Sequence, residues 1–214
     1  MPPTDRFVIR FAAEPPHDAL PYGRWADTLR AHFLAAAIQI DAGEEQLGEP
    51  GELVWFPDRT YGGRTYVPAT ARTSGGYELF GYVSFAEGGG DGAPDDFAAH
   101  ADFTSETAEQ NPDWRIDLNE EVIGRWRGED GKAADMTLIW GRPLVAGGAL
   151  VTAELADLAV DQCPLVEDRF TLIAPDAYRG DYLEAKLFSA RGEELARESL
   201  YVEDGEGDDG EGGD

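Results

Sequence analysis

From Trp114 to Val202 the apolar residues arrive in about seven short runs, each closed by a turn signal, and this spacing constrains the fold more than any other feature of the chain. Arg115 to Leu118 opens the series. Val122 to Gly128 and Ala134 to Gly141 flank Asp130-Gly131, a strong short-range hairpin signal. Gly147-Gly148 precedes Leu150 to Val160, whose period fits either a strand or a helix. Arg169 to Ala174, Tyr182 to Ser189 and Leu195 to Val202 complete the set, with Arg191-Gly192 turning between the last two. Short strands at this spacing predict an antiparallel β-sandwich.

The segment Asp176-Ala177-Tyr178-Arg179-Gly180-Asp181-Tyr182-Leu183 resembles the corner that enters the penultimate strand of immunoglobulin-like sandwiches, where a tyrosine hydrogen-bonds back across the turn. Tyr182 takes that tyrosine's place. The resemblance covers about ninety residues, without the cysteine pair of antibody domains. It implies a fold and no activity, because sandwiches host many functions.

The N-terminal part reads differently. Phe7, Ile9 and Phe11 alternate as in a strand, broken by Pro15, Pro16 and Pro21. Trp25, Leu29, Phe33, Ala36, Ala37 and Ile40 then recur at helical spacing, predicting a helix over 24–40 that stops near Gly43. Between 52 and 87 the period returns to two, with turns at Gly62-Gly63 and Ser74-Gly75-Gly76. In that meander Tyr77, Leu79, Val83 and Phe85 share one face, while Phe80 and Tyr82 occupy the other. The Gly/Asp-rich residues 88–96 are a compositional break, and a short helix fits 105–110. The expected architecture is therefore α+β and β-dominated. A strand-helix-meander unit (1–87) and a linker or long loop (88–113) precede a sandwich (114–202) and a disordered acidic tail (203–214).

Charge narrows the partners. The net charge is -26, and residues 203–214 hold seven acids and no base, so most of the acidity belongs to the body of the protein. Such a field repels nucleic acid phosphates and anionic membranes and attracts basic partners, so neither nucleic acid nor membrane is expected as a partner. The only lysines are Lys132 and Lys186, against fifteen arginines, which fits a salt-adapted cytoplasm or a GC-rich genome. Cys163 is the single cysteine, so no intramolecular disulfide forms. No basic region followed by an apolar run opens the chain, which predicts a cytoplasmic location.

Reactive constellations are sparse. The glycines at 88–92 lead into acids rather than Gly-Lys-Ser/Thr, and no Gly-x-Ser-x-Gly elbow occurs, so no cofactor and no catalytic residue is expected. His100 and Asp102, with Asp95 and Asp96 upstream, supply donors of the type that hold Zn, Mn or Fe. In a chain one-fifth acidic, chance alone also puts an Asp near a His, and a surface histidine is the plain alternative.

The aromatic meander is the positive signal. Tyr61, Tyr66, Tyr77, Phe80, Tyr82 and Phe85 lie within twenty-five residues, so the sheet needs cover on both faces. The helix at 24–40 supplies one cover. The other is the chain's own core, a protein partner or a flat sugar, and as a contact surface it presents Tyr61, Tyr66, Phe80 and Tyr82. The expected function is a noncatalytic binding or structural component acting through protein contacts, with a protein partner or a second copy, as a subunit of a larger assembly. The alternatives are a carboxylate- or metal-dependent hydrolase and an acidic inhibitor that mimics nucleic acid.

Overall fold

A computed structural model of the protein describes residues 25–87, 94–127, 133–178 and 181–200. The strand expected at Phe7–Ala12 and the acidic tail at 203–214 lie outside them. Among the described residues the fold is β-dominated, with one short helix and three antiparallel sheets.

The helix α1 (Ala26–Ala37) buries Leu29 and Phe33, four apart on one face, and ends at Ile38; the left-handed Gly43, at φ +59°, lies five residues further on. The first sheet contains β1 (Val54–Trp55), β2 (Arg59–Tyr61), β3 (Arg64–Arg72), β4 (Glu78–Glu87) and β5 (Pro94–Thr104), in the order β1-β3-β4-β5 with β2 also paired to β3. The second joins β6 (Ile116–Arg127) and β7 (Ala133–Pro143) to β10 (Phe170–Asp176), in the order β10-β7-β6. The third contains β8 (Gly148–Leu155), β9 (Leu158–Pro164), β11 (Leu183–Ser189) and β12 (Glu194–Ser199), in the order β12-β11-β8-β9.

Alternation along the strands sets the layers, because successive side chains point to opposite faces. Val67, Ala69, Ala71, Leu79 and Val83 turn toward α1 and pack with Leu29, Phe33 and Trp55. Tyr66, Phe80 and Tyr82 turn the other way, onto Met136, Leu138, Trp140 and Ile173 of the second sheet. That sheet sends Ile139, Phe170 and Leu172 to the opposite side, against Val151, Leu183 and Leu187 of the third. The helix and the three sheets thus form four stacked layers separated by three cores. No helix among the described residues is long and apolar enough to cross a membrane.

The hairpins close where glycines permit it. Gly62 and Gly63 have φ of +61° and +79° between β2 and β3, and Gly192 has +79° between β11 and β12. Four segments depart from the sequence expectation; the runs at 115–118 and 122–128, expected as two strands, are one strand, β6. Residues 94–104, expected within a linker, form β5 along the edge of β4. There Phe97, Ala99, Ala101 and Phe103 face α1, a period-two pattern whose alanines carry little hydrophobic signal. Residues 105–110 form no helix: one turn closes on Thr107 and ends at Asn111, before Pro112. Residues 150–160 are two strands separated by Ala156-Asp157, both at positive φ (+51° and +60°), a turn without glycine to mark it.

Candidate functional site

Alternation on β3 and β4 decides where the expected contact residues lie. Tyr66 is buried; Tyr61, Phe80 and Tyr82 are half-buried beside it. Tyr66 and Tyr82 meet edge to face at 5.5 Å, and Phe80 lies 6.5 Å from Trp140. The cover over this aromatic face is therefore the protein's own second sheet. Burial is also the main reason the phenols of Tyr66 and Tyr82 titrate above their ordinary value.

His100 and Asp102, two apart, point to the same side of β5. His100 stacks on Tyr82 and places Nδ1 3.4 Å from Oε2 of Glu121 on β6. Asp102 turns back to accept a hydrogen bond from the Phe103 amide at 2.8 Å. Among the described residues, no three His, Cys, Asp or Glu side chains converge as a metal set. The contact His100 makes is thus an inter-sheet one: it ties the edge of the first sheet to the edge of the second.

Beyond the aromatic contact, the first and second sheets diverge and leave a groove. Its widest part has a cavity volume of about 540 Å³, lined by Glu52, Phe56, Arg72, Glu78, Asp117 and Arg142 among others. The ions there are partly matched. Arg142 donates from Nε to Asp117 at 2.9 Å, Arg72 donates to Glu109 at 2.7 Å, and Arg169 donates to the Trp55 carbonyl at 2.9 Å. Glu78 and Asp117 also border the next stretch, about 240 Å³, which adds Phe80, Trp114 and Glu120. Trp114, Leu118 and Glu120 continue into a third stretch of about 310 Å³ beside Glu198 and Leu200. The stretches share wall residues but lie on two sides of the edge strand β6: Asp117 and Asn119 face the first sheet, whereas Ile116, Leu118 and Glu120 face the side of β12.

Its carboxyls are perturbed. Burial, then the negative charges of Asp176 and Glu121, pushes Glu120 up to about 7. Glu78 is also raised, by burial and by Asp117, against the pull of Arg72 and Arg142. Glu121 is raised mainly by burial, against the pull of His100. The sign of the stability effect follows. A carboxyl whose folded value lies above its unfolded one contributes stability that is complete below the unfolded value and is lost as pH rises through the folded one. The protein should therefore melt higher at pH 5.5 than at pH 8. Because Glu120 is solvent-exposed, screening holds its share to at most about 1 kcal/mol, or roughly 2–4 °C. Thermal melts at fixed ionic strength check this, and Glu120→Gln should shrink the difference. Equal melting at the two pH values would remove the assignment.

Comparison with protein-family models, curated proteins and solved structures finds no match for this chain.

Of the residues singled out in the sequence, Phe80 alone borders the groove; Glu78, Trp114, Asp117, Glu120 and Arg142 were not singled out. The available signal was charge in the wrong place: Asp117 interrupts the apolar run from Arg115 to Leu118, and Arg142 ends the run of β7. Charges inside strands mark where a sheet face meets solvent or a cleft rather than a core.

Proposed function

We propose that this protein is a noncatalytic binding component that acts through protein contacts, as one subunit of a larger assembly, and that the groove is the surface it uses. The supporting observation is the make-up of the groove: adjoining open stretches with aromatic and acidic walls suit an extended polypeptide better than a compact small molecule. With a net charge of -26, a basic partner is favoured over a second copy, which would repel. The scaffold reading is an immunoglobulin-like sandwich over residues 116–199, preceded by a strand-helix-meander unit. It is supported by facing sheets of three and four strands with a common core, and by Tyr182 standing at the entry to β11, the penultimate strand.

The test is the mass of the native assembly, from size-exclusion chromatography with light scattering after gentle extraction. A species well above 23.3 kDa is expected, returning to monomer mass in Trp114→Ala and Glu120→Lys. A native monomer, or an assembly indifferent to both substitutions, would overturn the proposal.

A second reading, a carboxylate-dependent hydrolase, is favoured by one observation. Glu120, with its carboxyl near 7, shares a groove stretch with Glu78 and Asp117, the supply of acid and base that such chemistry needs. Turnover of chromogenic glycosides or esters that is lost in Glu120→Gln would establish it. No turnover above buffer would exclude it for those substrates.

A further inference from the structure

We propose that the stretch of the groove bounded by Trp114, Leu118 and Glu120 receives the arginine or lysine side chain of a basic polypeptide segment. This inference rests on the groove being the partner surface.

Charge is distributed unevenly along the groove. The wide end holds Arg72, Arg142 and Arg169 among its acids. Where Trp114 and Glu120 form the wall, Glu78, Glu106 and Glu198 supply charge while Asp117 is matched by Arg142, and neither stretch is lined by an arginine or lysine. The nearest cation in sequence, Arg115, donates its guanidinium to the Leu195 carbonyl at 2.9 Å on β12.

The chemistry of the walls fits a long cationic side chain. Leu118, Phe80 and the half-buried Trp114 offer apolar surface to an aliphatic stem, and an indole face attracts the charged head. Glu78 on β4 and Glu120 on β6 line one stretch, and Glu120 with Glu198 on β12 lines the next. The charges that act on Glu120 are those of Asp176 and Glu121, both negative, so an arriving cation relieves repulsion as well as making new contacts. A neutral polar ligand gains nothing from that relief.

The experiment uses the full chain and an acetylated, amidated Gly-Arg-Gly-Arg-Gly peptide, with the same peptide carrying citrulline, the neutral isostere of arginine, as comparison. Binding is followed by nitrogen-proton correlation spectra that include the tryptophan indoles, at about 0.15 M salt, where non-specific attraction over long distances is screened. The arginine peptide should shift the Trp114 indole saturably and bind about ten-fold more tightly than the citrulline peptide. Glu120→Gln should weaken the arginine peptide about five-fold. Lowering the pH from 8 to 6 should weaken it by about three-fold, as the Glu120 carboxyl near 7 takes up its proton. Trp114→Ala should abolish the preference for arginine while leaving the spectrum of the remaining chain dispersed.

Equal affinity for the two peptides would overturn the inference. So would small shifts spread over the acidic surface without saturation at Trp114, or an affinity indifferent to Glu120→Gln. A native assembly that depends on groove residues while the peptide fails to bind leaves the groove as the partner surface and rejects the cationic occupant. Peptide binding beside a native assembly indifferent to the groove does the reverse.

Discussion

Asp161→Ala should destabilise the protein by about 3–5 kcal/mol, the cost of leaving a buried charge without its counter-ion. Arg59 on β2 reaches out of the first sheet and is almost wholly buried, its side chain 1% exposed. Its Nη2 donates to Oδ1 of Asp161 on β9 at 2.7 Å, and its Nη1 donates to the carbonyls of Thr171 and Gln162 at 3.2 and 3.4 Å. The second carboxylate oxygen of Asp161 accepts from the Ile173 amide at 2.8 Å. One ion pair therefore ties a three-residue strand of the first sheet to strands of the second and third. Removing the carboxylate leaves the guanidinium desolvated and one backbone amide without its acceptor. Urea unfolding of the variant measures the loss. Arg59→Met with Asp161→Leu together should recover most of it, because an apolar pair of similar size needs no desolvation of charge. A loss below about 1 kcal/mol in Asp161→Ala would mean that the pair is solvated and does not join the sheets.

Gly81→Ala should cost about 3–5 kcal/mol, from overpacking and backbone strain acting together. Gly81 has φ +156°, and a β-carbon there would run into the His100 carbonyl and come within 2.8 Å of the Ala101 α-carbon. Both obstacles are backbone of β5, paired with Gly81 across the ladder, so no side chain can move to make room. The strands must part locally, and the contact from His100 to Glu121 should go with them. Hydrogen exchange is expected to speed up along β5 while β8 and β11 keep their protection. A variant that unfolds at the same urea concentration as the parent would refute the close packing at this position.

Legibility followed the physics of each segment. The helix was readable from Leu29 and Phe33 because its stripe repeats over several turns, and it emerged three residues shorter at its C-terminal end than the pattern allows. The two faces of β4 were readable because alternation alone assigns Leu79 and Val83 to one side and Phe80 and Tyr82 to the other. The strand β5 was hidden by its alanines and by the acids around it. The groove was hidden for a different reason: Glu78, Glu120 and Glu198 lie far apart in sequence, and no single segment carries its pattern.

What the sequence determined by itself is local: the period of each apolar run, the glycine turns, the face on which each side chain falls, and a net charge of -26. Only the tertiary structure decided what covers each face. It placed the second sheet over Tyr66 and Tyr82, buried Arg59 against Asp161, and left open stretches of groove beside Trp114. Periodicity arises from backbone geometry over a few residues, whereas the cover of a sheet face depends on which distant strand excludes water from it, and any apolar face of suitable shape satisfies that demand.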